Sequence, residues 1–162
     1  MLKINIIAVG GLKENYLREA QSEYIKRLGK FCKLNIVEIS EVKTDNNPSE
    51  KQIENALNKE GEEILKAVLN AGGSSYNIAC CINGKNFASE AFASHIKQIS
   101  NKNSTVNFVI GSSYGLSQSV KNKADLLLSF GEFTFPHQLM RIILLEQLYR
   151  AMTINNNITY HK

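Results

Sequence analysis

Residues 104–117 read "STVNFVIGSSYGLS", and the reading of this stretch decides the fold. An apolar, partly β-branched run ends at Gly111 and gives way to serines, a tyrosine and a second glycine. Such a run suits a strand covered on both faces, as in the interior of a parallel sheet. The Gly/Ser-rich segment behind it is then a loop at a strand's C-terminal end, where open α/β sheets hold their ligands.

Outward from this strand the same alternation recurs. "KINIIAV" (3–9) reads as a strand broken by Gly10-Gly11, and the helix after it repeats Tyr16, Ala20, Tyr24 and Leu28 at helical spacing. "KLNIVEIS" (33–40) is strand-like, and Ser49 with Gln52 matches a capping box opening a helix through "NKEGEEIL". "YNIACCI" (76–82) ends at "NGK", "ASEAFASHIKQIS" (88–100) reads as a helix, and "ADLLLSF" (124–130) as a last short strand. Strands alternating with helices predict an α/β fold: a mainly parallel sheet with helices on both faces. At 162 residues the chain is expected to form one domain, 1–162.

The final helix raises a separate question. In "TFPHQLMRIILLEQLYRAM" (134–152), Pro136 suits a helix start, and Arg141 falls among Leu144, Leu145, Leu148 and Met152. Arg150 pairs with Glu146 at i,i+4 on another side. Arg141 is either ion-paired within the core or held there for an anionic or carbonyl-rich ligand. Leu139 and Ile143 lie towards the polar side, so this helix is apolar nearly all round and calls for cover from a second subunit.

Composition narrows the function classes. A formal net charge of +4 permits nucleic-acid binding without requiring it; Lys26, Arg27, Lys30 and Lys33 cluster at the end of the first helix. No apolar run is long enough to span a membrane, and "MLKINIIAVGG" turns polar too soon for a secretory signal, so a cytoplasmic protein is expected. Cys80 and Cys81, adjacent on a strand, should point to opposite faces and fit small apolar roles in a reducing compartment; a vicinal-thiol redox function is the lesser alternative. The three histidines show no zinc-like spacing, and no metal site is expected. Neither "AVGG" nor "GSSYG" carries a dinucleotide or triphosphate signature.

Taken together, "VIGSSYGLS", "LLLSFGEFTFPHQLMRIILLEQLYRAMTI" and the terminal "YHK" resemble the RlmH family of SPOUT-class RNA methyltransferases; the start "INIIAVGGLKE" and "NKEGEEIL" extend the resemblance over nearly the whole chain. It implies S-adenosylmethionine as methyl donor, N3-methylation of a pseudouridine in large-subunit (23S) ribosomal RNA, a homodimer, and a SPOUT-type C-terminal trefoil knot. The knot comes from the resemblance alone, threaded chains being almost absent among folds.

Carried over by motif, the cofactor pocket falls on Cys80, Gly111, Phe130, Gly131, Glu132, Phe133, Thr134 and Phe135. Three departures stand out: Ser112 replaces a usual second glycine, Cys80 a usual leucine, and "FGEF" a commoner serine-containing segment. Arg141 is the expected cation for the developing anion. His137 or His161 is a candidate general base, histidine being the side chain that exchanges protons near neutrality, and Tyr160 completes the catalytic set. An RNA- or ribosome-binding protein of the same fold without chemistry is the alternative.

Overall fold

The structure, a computed structural model, describes residues 1–160. Ten elements follow in order: β1 (Lys3–Val9), α1 (Asn15–Leu28), β2 (Lys33–Ile39), α2 (Glu50–Asn70), β3 (Ser75–Lys85), α3 (Ser89–Ser100), β4 (Thr105–Ile110), α4 (Gln118–Lys123), β5 (Leu126–Leu128) and α5 (His137–Asn155). The five strands form one sheet in the order β2-β1-β4-β3-β5, every pairing parallel. β4 lies at the centre and is buried at every residue, as an apolar run without strict alternation requires.

Alternation along the strands divides the core into two layers. On one face Ile4, Ile6 and Ala8 of β1 pack with Leu28 of α1, Phe92 and Ile96 of α3, and Leu144, Leu145 and Leu148 of α5. On the other, Ile7 and Val9 pack with Ile64 of α2 and Val120 of α4. Helices therefore cover both faces. α2 starts where its capping box places it: Ser49 Oγ accepts from the Gln52 amide while Gln52 Oε1 accepts from the Ser49 amide.

A polar row crosses the second layer. Asn35, Asn5, Asn107 and Asn77 occupy one register line across β2, β1, β4 and β3. Asn35 Nδ2 donates to Asn5 Oδ1 (2.9 Å), Asn5 Nδ2 to Asn107 Oδ1 (2.7 Å), and Asn107 Nδ2 to Asn77 Oδ1 (2.8 Å). Slipping any of these strands by one residue would break the chain of amides and leave buried polar groups unpaired, so the row fixes the register.

Two departures from the expected elements bear on the site. α4, only six residues long, is too short to show a helical period in the sequence. β3 continues through "NGK" to Lys85, and both Cys80 and Lys85 pair with the same residue of β5, Leu128. The Ser129 amide donates to the Lys85 carbonyl (3.0 Å), and a Cβ on Gly84 would lie 2.6 Å from the Leu128 carbonyl carbon. The bend of β3 thus folds over the chain leaving β5, and glycine at position 84 permits the approach.

Candidate active site

Because all strands run parallel, their C-terminal ends share one edge, and the loops after β3, β4 and β5 meet there around a cavity of about 420 Å³. Cys80, Gly111, Phe130, Gly131, Phe133, Thr134 and Phe135 all border it. Glu132, after the turn at Gly131 (φ +112°), is exposed and does not border it.

Glycine shapes the wall at two further points. A Cβ on Gly111 would sit 2.2 Å from the Gly115 carbonyl oxygen, so the loop closes on itself only with glycine there; the Gly115 amide returns a hydrogen bond to Ser112 O (2.9 Å). The departure at Ser112 leaves this approach intact. At Gly115 and Gly131, by contrast, a Cβ would meet only open space, as expected of backbone that faces a ligand.

Tyr114, Ile82, Asn83, Lys121 and Met140 also border the cavity and were not singled out from sequence. Tyr114 was legible as the one aromatic in "GSSYG"; the others depend on the bend of β3 and on the path of α4 and α5. Both thiols border the cavity, Cys80 from the side of the α3/α5 core and Cys81 towards Lys121 of α4, as strand alternation expects. Burial pushes Cys80 up to about 12, with Cys81 adding to the effect. Burial also raises Cys81, opposed by Lys121. A thiol raised by burial gives up its proton less readily, which disfavours the redox alternative. Among the described residues no group of His, Cys, Asp and Glu could hold a metal ion.

Arg141 is 1% exposed and does not border the cavity. Its Nη1 donates to Glu38 Oε1 (2.6 Å) and Gln21 Oε1 (3.2 Å), and its Nη2 to the Gly10 carbonyl (2.7 Å). Of the two arrangements weighed from sequence, the ion pair is the one present, and it ties α5 to the ends of β1 and β2. Gly10 itself stands at φ +82°. A methyl group added there would lie 3.5 Å from His137 Nε2 and 3.7 Å from Glu41 Oε2. Arg141 therefore holds the backbone over which His137 sits, and His137 borders the cavity from the first turn of α5.

Gly10 also opens onto a second, larger hollow of about 850 Å³, walled by Glu38, Glu41 and Glu60 and sharing Ser113 and Tyr114 with the first. The two hollows are neighbours separated by the lip of the β4 loop.

The C-terminal segment is tied down far from both. Tyr160 Oη donates to Glu146 Oε2 (2.8 Å), which also accepts from Tyr24 Oη (2.6 Å). Arg150 Nη2 donates to Glu146 Oε1 (2.6 Å), its guanidinium lies over the Tyr160 ring, and that ring meets Tyr149 edge-on. Burial, then the hydrogen bond to Glu146, raises the Tyr160 hydroxyl above the ordinary phenol range. At 1.5 Å per residue, Glu146 and Arg150 lie about 9–15 Å along α5 from Met140 at the cavity wall. His161 lies outside the described residues.

A family model described as "Predicted SPOUT methyltransferase" matches residues 2–161. The chain is 48% identical over 162 residues to the Ribosomal RNA large subunit methyltransferase H of Streptococcus thermophilus (strain ATCC BAA-491 / LMD-9), covering 99% of this chain and 100% of that protein. Its namesake in Streptococcus pneumoniae (strain CGSP14) is 44% identical with the same coverage. Among solved structures, that of a probable methylase family protein from Haemophilus influenzae Rd KW20 superposes with a TM-score of 0.53 at 16% identity. It covers 99% of this chain and 70% of that one, a likeness of fold alone.

Proposed function

Since the chain belongs to the SPOUT methyltransferase family, we propose that it methylates N3 of a pseudouridine in large-subunit (23S) ribosomal RNA, with S-adenosylmethionine as donor. The observation that carries this reading is the cavity at the C-terminal edge of the sheet, walled by backbone of three loops whose glycines leave room for a ligand. Its volume falls in the ordinary range for small-ligand sites, and its aromatic and apolar lining with scattered polar groups suits an adenosine and a thioether. When bound, the donor supplies a methyl group on a sulfonium.

The residues of this chain do the rest by placement. Gly111, Gly131 and Phe130–Phe135 except Glu132 form the wall, and Cys80 and Leu128 its base. His137 is positioned to take the ring proton of the acceptor, standing at the cavity and over Gly10. Arg141 acts through that backbone as a positioning residue. The pairing of Lys85 with Leu128 and Ser129 at the bend of β3 fits the trefoil knot implied by the resemblance.

Tyr160, beyond the end of α5, is held on Glu146 and not at its own cavity, which favours a homodimer in which each tail serves the partner's cavity. Exposed Leu139 and half-buried Ile143 on α5 support such pairing. In the cytoplasm, the acceptor is the RNA within the large subunit or the assembled ribosome. No helix among the described residues is long and apolar enough to cross a membrane.

The test is incubation with labelled donor and unmodified ribosomes, subunits or naked RNA, then mass mapping of the product. Label on N3 of one pseudouridine supports the reading. Label on another atom or nucleotide revises the acceptor. Calorimetry with the donor separates an enzyme from an inert RNA-binding module, which would show no heat of binding.

A further inference from the structure

The second hollow contains a group that the fold leaves unused. Glu60, in the middle of α2, is 3% exposed. Its Oε1 accepts from the Val42 amide (3.0 Å), its Oε2 is buried without a hydrogen-bond partner, and the residue borders the hollow. The Ser112 hydroxyl, also buried without a hydrogen-bond partner, lies close enough to favour the charged carboxylate. An orphaned buried carboxylate oxygen is costly, and native folds keep such a cost where a ligand relieves it.

The chemistry of the walls limits what that ligand is. Glu38, Glu41 and Glu60 are acceptors, Lys13 and Lys43 are donors at the rim, and exposed Tyr114 offers an aromatic face where the two hollows adjoin. A planar ring that carries N–H groups beside carbonyls fits all three features: it stacks on Tyr114 and donates inward. Enzymes that modify a base take it out of the stack into such a pocket.

We propose that this second hollow seats the acceptor base and that Glu60 Oε2 accepts from its N1–H, making Glu60 the residue that distinguishes pseudouridine from uridine. The proposal rests on the acceptor assigned above. Pseudouridine has ring N–H groups at N1 and N3 on either side of one carbonyl; uridine presents C5–H where pseudouridine presents N1–H. With N1–H directed at Glu60, N3 turns away from α2, towards the lip shared with the first cavity. Burial, reinforced by Glu41, holds the Glu60 carboxyl above the ordinary carboxylate range, so a donor arriving in the hollow relieves an existing strain on its charge.

Glu60→Gln is the informative variant. The Val42 amide retains an oxygen at the Oε1 position, so the new amide nitrogen falls at Oε2 and presents a donor to a donor. RNA stem-loops or subunits carrying pseudouridine or uridine at the target are compared for kcat/KM. S-adenosylmethionine affinity is measured by calorimetry, and saturation-transfer NMR follows the free nucleosides in the presence of S-adenosylhomocysteine.

Wild type is expected to favour pseudouridine. Glu60→Gln should lower that preference by about ten- to hundredfold, the worth of one hydrogen bond to a charged group, with donor affinity kept. The variant should also lose the NMR contrast between the two nucleosides. A variant that binds donor and keeps the wild-type preference overturns the proposal alone. Wild type that binds donor yet methylates neither RNA overturns the acceptor assignment beneath it, and the proposal with it. Should Glu60→Gln fail to fold, wild type acting equally on pseudouridine and N1-methylpseudouridine overturns the proposal, and rejection of the N1-methyl substrate supports it.

Discussion

Arg141 Nη2 donates a 2.7 Å hydrogen bond to the Gly10 carbonyl, joining the last helix to the first strand across 131 residues of sequence. The same guanidinium pairs with Glu38, whose side chain is half exposed, so solvent softens the pair on one side only. Arg141→Met is expected to cost about 2–3 kcal/mol, below the range for fully buried pairs because Glu38 keeps access to water. Turnover should fall while donor affinity changes little. The double variant Arg141→Met/Glu38→Leu should regain stability in urea titrations but not turnover; full recovery of both would make the pair purely structural.

Asn107 is fully buried between Asn5 and Asn77. Asn107→Ala leaves the Asn5 amide nitrogen and the Asn77 carbonyl oxygen without partners inside the sheet. A loss of about 2–4 kcal/mol is expected from urea unfolding, one to two unsatisfied buried groups. Asn35→Ala, at the edge strand and only part-buried, should cost less than half as much.

Gly111→Ala forces the loop after β4 off the Gly115 carbonyl. Donor affinity measured by calorimetry should drop at least about tenfold, equivalent to 1.4 kcal/mol or more. Gly115→Ala meets no steric obstacle but strains a backbone at φ +89°, and a smaller loss is expected.

A chain truncated after Asn157 loses Tyr160 and its hold on Glu146. If each tail serves the neighbouring subunit, mixing this truncation with Gly111→Ala should restore activity that neither shows alone. Heterodimers then contain one intact cavity opposite one intact tail. Absence of restoration in a verified heterodimer would place the tail's role within its own subunit.

The Glu60 carboxyl, raised by burial, binds its proton more tightly folded than unfolded. Its contribution to stability is full below the ordinary carboxylate range and is lost as pH rises through that range to the folded value. Glu60→Gln has no such dependence. The Tm of the variant should therefore approach that of wild type near pH 4 and exceed it increasingly towards pH 7, as checked by scanning calorimetry.

Periodicity revealed the five strands, and the resemblance pointed to most of the residues that border the cavity, because "VIGSSYGLS" and "FGEFTFPH" place backbone and glycine at strand ends. The partner of Arg141 was not legible: Glu38 lies 103 residues away and reads as an ordinary polar residue of an edge strand. That Cys80 and Cys81 both border the cavity was hidden for a related reason, since it depends on the bend of β3 over Leu128. Glu60 appeared only as one of several acids in "NKEGEEIL", since burial of a single helical carboxylate depends on which face meets α4 and the β4 loop.

The overlap of β3 with the chain leaving β5 has a bearing on how the protein comes into being. Residues 80–85 emerge from the translating ribosome well before 126–130, so a nascent chain holds an unfilled bracket until its final quarter is made. Maturation is then timed by the arrival of the last helix: a chain that ends early has most of the sheet yet lacks the loop that closes the cavity.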